Sequence, residues 1–139
     1  MTKKKFLLDK LGRDKAIELF KNDNCDIKFH VIESNEEYLE AITKKIFEEL
    51  EEVLACTSQA QLIEELGDLD EILDALKKLT KIDQAAINES RKNKREKKGG
   101  FEKRIYLHYA DAPEGSWMYN YCLENPEKYP EIVDEIELP

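Results

Sequence analysis

An all-α fold, an antiparallel helical bundle with short extended segments and a C-terminal tail, is predicted for this 139-residue chain. Two long stretches, about 35–55 and 59–79, repeat apolar residues at helical spacing. The break between them, Ala55-Cys56-Thr57-Ser58, is short enough to fold the two helices back antiparallel. Capping patterns stand at both starts, Ser34 with Glu37 and Ser58 with Gln61, where a hydroxyl and a side chain three residues on can satisfy orphan backbone groups.

Taken in order, Lys10-Leu11-Gly12-Arg13-Asp14-Lys15 leads into Ala16-Ile17-Glu18-Leu19-Phe20, a short helical pattern that Asp14 is placed to cap. Asn22-Asp23-Asn24 ends it. Ile27, Phe29 and Val31 then alternate with Lys28 and His30 as in a short strand. His30 and His108 have no metal-ligand partner at helical spacing and receive no role. The first long helix carries Tyr38, Leu39, Ile42, Ile46, Leu50 and Val53 on one face. The second carries Leu62, Leu66, Leu69, Ile72, Leu73, Leu76 and Leu79. Gly67 inside it costs ~1 kcal/mol relative to alanine; close approach of a ligand or neighbouring backbone would account for it, and so would accident. A third helix, about 83–97, becomes steadily more basic and is ended by Gly99-Gly100, which suit a helix C-cap. Beyond the glycines, Phe101, Ile105, Leu107 and Tyr109 alternate with polar neighbours, an extended segment able to pair with 27–31. From Asp111 the composition turns aromatic and proline-containing, with room for one short helix at 116–124 capped by Ser116. Trp117, Tyr121 and Tyr129 read as packing or a subunit contact rather than a base-stacking platform.

The chemistry concentrates on the two long helices. Glu49 with Glu52, and Glu65 with Asp68, are carboxylate pairs at a spacing that places both members on one helix face. At about 100° per residue, Glu49 falls within the apolar arc of the first helix and Glu65 within that of the second, whereas Glu51, Glu64 and Glu71 point away. The pairs lie at similar distances from the turn, so they face each other to within about one helical turn, ~5 Å. A carboxylate turned toward a core needs a cation or a hydrogen-bond donor. Two accounts meet that need: a divalent cation, for which oxygen ligands are the natural donors, or internal salt bridges to Lys45 or Arg13. The run Arg91, Lys92, Lys94, Arg95, Lys97 and Lys98 exceeds what a helix dipole requires at its C-terminus, and in so acidic a chain it is the natural place for polyphosphate.

Length allows one domain with a core and an appendage, placed at 1–107 and 108–139. The net charge of -9 argues against general nucleic-acid or anionic-membrane partners while leaving room for a local basic patch. Three cysteines, Cys25, Cys56 and Cys122, without CxxC spacing fit reduced thiols in a cytoplasmic protein. No apolar run approaches the ~18 residues of a membrane span.

These residues carry a resemblance. Glu48-Glu49-Leu50-Glu51-Glu52 followed by Glu64-Glu65-Leu66-Gly67-Asp68 resembles the ExxE and ExxD signature of the all-α nucleoside triphosphate pyrophosphatases, the MazG-like superfamily. The flanks add to it: Lys10 to Lys15 is similar to a KLVRDKIP opening, and Lys94-Arg95-Glu96-Lys97-Lys98-Gly99-Gly100-Phe101-Glu102-Lys103-Arg104 to a KREERGGFEKR close, both found in small phosphoribosyl-ATP pyrophosphohydrolase-like members. The likeness spans about residues 8–107; Gly12 and Ala16 depart from the valine and proline of the opening. What it implies is a helical, usually oligomeric enzyme that hydrolyses a nucleoside triphosphate between the α and β phosphates. Mg²⁺ would be held by Glu49, Glu52, Glu65 and Asp68, as one ion or two, with Glu48 orienting the attacking water. Lys10, Arg13, Lys94, Arg95, Lys97, Lys98, Lys103 and Arg104 would grip the triphosphate. Two other readings stand beside it: phosphoribosyl-ATP pyrophosphohydrolase of histidine biosynthesis, and a non-catalytic helical binding module.

Overall fold

The structure, a computed structural model, describes residues 2–133. Among them are five helices: α1 (Ala16–Asn22), α2 (Asn35–Ala55), α3 (Gln59–Thr80), α4 (Gln84–Lys98) and α5 (Trp117–Glu124). No strand occurs among the described residues. The expected extended pairing of 27–31 with 101–109 is therefore corrected. Arg104 adopts φ 57 and its N–H donates to the Phe101 carbonyl at 3.1 Å, a turn that interrupts the alternation the second segment needed. An isolated two-stranded ribbon is marginal in any case.

The helices start where the sequence places hydroxyl caps. Ser34 Oγ accepts from the Glu37 N–H at 3.0 Å, Ser58 Oγ from Gln61 at 3.2 Å and Ser116 Oγ from Tyr119 at 3.2 Å. The return arms of the two capping boxes go elsewhere. Glu37 reaches His30 at 2.6 Å, and Gln61 Oε1 accepts from the Thr57 N–H at 2.9 Å. Asp14 does not cap α1: the N-cap position is Lys15, without a side-chain cap hydrogen bond. At the far end of α4, Gly99 takes φ 80 and its N–H meets the Arg95 carbonyl at 2.8 Å, a left-handed exit for which glycine carries no steric penalty.

The described residues divide into two compact units between Lys94 and Arg95. In the first, α2 and α3 form a hairpin and are the one helix pair in broad contact among the described residues. Its buried hydrophobic residues are Ile42, fully buried, and Ile72, and Glu49 is buried as well. In the second, Trp117 stacks on Tyr121 with ring centroids 4.8 Å apart, and Tyr129 tilts against Tyr121 at 5.6 Å. Trp117 nevertheless remains 68% exposed. No helix of the described residues is long and apolar enough to cross a membrane.

Candidate metal centre

The antiparallel return of α3 along α2 brings carboxylates from both helices together. Glu49 of α2 and Glu65 and Asp68 of α3 each offer an oxygen, and the three oxygens lie within 4.8 Å of one another. A hard divalent cation binds oxygens at ~2.0–2.6 Å, so two of its ligands stand at most about 4–5 Å apart. The triad meets the upper end of that range, and direct ligation of Mg²⁺ at ~2.0–2.1 Å requires the carboxylates to draw in to about 4.2 Å or to bind through water. Its donors are all carboxylate oxygens, the chemistry that Mg²⁺ or Mn²⁺ prefers.

Burial makes the charge arrangement consequential. Glu49 is 6% exposed. The Glu65 carboxyl is raised above its ordinary 4.5 by burial first, then by its hydrogen bond with Glu49 and the charges of Asp68, Glu49 and Glu52. Like charges thus face one another across the hairpin, a conflict that a bound cation or a proton relieves. Glu52 is exposed and stands outside the three-oxygen group, although its charge is felt by Glu65 and by the nearby Cys56 thiol.

Both accounts of the inward-facing acids find support here, because cations also reach them. Lys45 Nζ lies 3.3 Å from Glu49, and Arg13 pairs with Asp68 at 2.6 Å. Glu48 meets Lys10 at 3.3 Å and Lys45 at 3.4 Å. Burial alone would raise the Glu48 carboxyl, but the Lys10 hydrogen bond and the charges of Lys45 and Lys10 outweigh it and hold the group below 4.5. Glu48 is thereby kept ionised.

Of the residues expected to hold phosphates, Lys10 and Arg13 are brought to the acids. Lys94 closes the first unit, while Arg95, Lys97, Lys98, Lys103 and Arg104 belong to the second. All six are exposed. Arg95 is engaged by Glu102, whose carboxyl it lowers, whereas Lys94, Lys97, Lys98, Lys103 and Arg104 form no ion pair among the described residues. Lys45 is the residue that sequence reasoning underrated, having entered only as a salt-bridge partner. Its spacing three and four residues ahead of Glu48 and Glu49 was the available signal.

Compared with family models, curated proteins and solved structures, the chain matches none of them. The likeness to MazG-like enzymes therefore rests on the motif residues themselves.

Proposed function

We propose that this chain is a Mg²⁺-dependent nucleoside triphosphate pyrophosphohydrolase of MazG-like type, releasing nucleoside monophosphate and pyrophosphate. The observation that carries the reading is the convergence of Glu49, Glu65 and Asp68 oxygens within 4.8 Å on two facing helices, at the positions of the ExxE and ExxD motifs. Glu49, Glu65 and Asp68, with Glu52 directly or through water, would hold Mg²⁺, which when bound would neutralise phosphate charge and ease deprotonation of the attacking water. Glu48 is fixed by two ammonium groups and ionised, so it orients the attacking water and accepts its proton. The water oxygen bonds to the α-phosphorus, the bond from that phosphorus to the bridging oxygen breaks, and pyrophosphate leaves. Lys10 and Arg13, which pair with Glu48 and Asp68 beside the cluster, would turn toward the phosphates of a bound triphosphate.

The test is pyrophosphate release from a panel of ordinary and modified dNTPs together with phosphoribosyl-ATP, with Mg²⁺ and with chelator. The expected result is Mg²⁺-dependent release from at least one nucleoside triphosphate. Absence of release across the panel returns the chain to the non-catalytic reading.

A further inference from the structure

Lys45 differs from the other cations near the acids. Among the described ion pairs it alone touches two of the site's carboxylates, and the proposed reaction uses those two differently. Its Nζ lies 3.3 Å from Oε1 of Glu49 and 3.4 Å from Oε1 of Glu48. The side chain is only 19% exposed, and that of Glu49 only 8%. This is not the solvated surface pair whose contribution is close to nothing; a buried carboxylate left without its partner is strongly destabilised. Lys10 reaches the same Oε1 of Glu48 from the segment before α1, at 3.3 Å. Both ammonium contacts thus fall on one Glu48 oxygen. Glu49 has a second engagement: it gives an oxygen to the group shared with Glu65 and Asp68.

We propose that Lys45 is a positioning residue that separates two adjacent acids by role, restraining Glu48 from joining the metal ligands while leaving Glu49 available to them. The inference rests on the metal-dependent reading of the site given above. An ammonium in contact with Glu49 competes with an incoming cation for that carboxylate. The same ammonium supports the geometry of Glu48. Removing its charge therefore moves two measurable quantities in opposite directions, which loss of a purely structural contact does not do.

The experiment compares the full-length wild type with Lys45→Met, which keeps the aliphatic stem, and Lys45→Arg, which keeps the charge. Binding of Mg²⁺ alone is followed by calorimetry, and turnover by pyrophosphate release from the dNTP panel. In Lys45→Met, Mg²⁺ binding should tighten on the order of tenfold, the scale of a +1 charge opposing a +2 charge at close range even in a watery dielectric. The kcat should fall about 10–100-fold, as when a residue that orients a metal ligand is lost, with KM for the triphosphate little changed. Lys45→Arg should recover most of the kcat. Unchanged kcat in Lys45→Met, or a parallel loss of Mg²⁺ affinity and kcat that Lys45→Arg does not repair, overturns the assignment. Should Lys45→Met fail to fold by circular dichroism, Lys45→Gln makes the same comparison. A wild type that releases no pyrophosphate removes the proposed function and this inference together. An active wild type matched by Lys45→Met removes this inference alone.

Discussion

Glu65 is the carboxylate whose charge the folded hairpin disfavours. Its folded pKa lies above the ordinary 4.5, raised by burial, by Glu49 and by the neighbouring acids. The folded state therefore holds this proton more tightly than the unfolded chain does. The stability it contributes is fully present below about pH 4.5 and is lost as pH rises through the folded value. Without divalent cation, Glu65→Gln should melt at or above the wild-type temperature near neutral pH, and the gap should close toward pH ~4. Saturating Mg²⁺ should reverse the ranking, because a ligand at 100 times its Kd adds about 2.7 kcal/mol to the protein that binds it. Glu49→Gln and Glu65→Gln should both lose Mg²⁺-dependent turnover with helicity intact, and full activity in the two variants would sink the site. Gly67, between Glu65 and Asp68 on α3, offers a second test. A Cβ built there meets no heavy atom within 4 Å, so close approach of neighbouring backbone does not explain the glycine. Gly67→Ala should stabilise the hairpin by roughly 0.5–1 kcal/mol, raising the melting temperature by a few degrees. A fall in turnover alongside that rise would mark the position as one the nucleotide approaches.

At the scale of elements, the α2–α3 hairpin was legible because two signals agreed on it. Ser34 and Ser58 fixed the starts, and the apolar periodicity located the side that Ile42, Glu49 and Ile72 bury, although Leu39, Leu50, Leu62 and Leu66 of the expected faces are exposed. The structure buries Glu49 and brings it together with Glu65. The 27–31 and 101–109 segments were misread for a physical reason. Alternation reports only local compatibility with a strand, whereas pairing depends on a partner and on backbone such as Arg104 at φ 57, which alternation does not encode. Asp14 failed as a cap because the chain enters α1 one residue later, at Lys15. The basic end of α4 carries its own prediction. If Arg95 and Lys98 only complement the helix dipole, neutralising both should cost about 0.3–1 kcal/mol each and leave kinetics unchanged. If they grip the outer phosphates, KM for the triphosphate should rise sharply while binding of a monophosphate suffers less. The phosphate outcome is expected. Neutralising Arg95 also frees Glu102, so Glu102→Gln serves as the control that removes the ion pair without removing the cation.

For the molecule as a whole, the hairpin has more apolar surface than it covers. Ile42 and Ile72 are its only buried hydrophobic residues among those described, while Phe47 is 63%, Leu54 87% and Ile63 64% exposed, and Leu39, Leu50 and Leu66 are also exposed. Scattered apolar side chains on a surface need no explanation, but runs of them on both helices of one hairpin motivate the prediction that a partner covers them. A second copy of the same hairpin is the partner that presents matching apolar area at equal abundance, and twofold pairing closes such a surface on itself. The chain should therefore sediment as a dimer or larger at micromolar concentration, and a monomer there would contradict the argument. In the second unit Trp117 is also exposed, and the same prediction extends to it. Removing residues 111–139 should weaken assembly or lower the melting temperature while leaving Mg²⁺ affinity near wild type, since Glu49, Glu65 and Asp68 all lie in the first unit. Residues 134–139 lie outside those described, so truncation after Val133 should be run beside the longer one. If only the longer truncation shifts the sedimentation profile, the contact belongs to the aromatic segment; if Mg²⁺ affinity falls with assembly in both, the metal centre itself depends on the second copy.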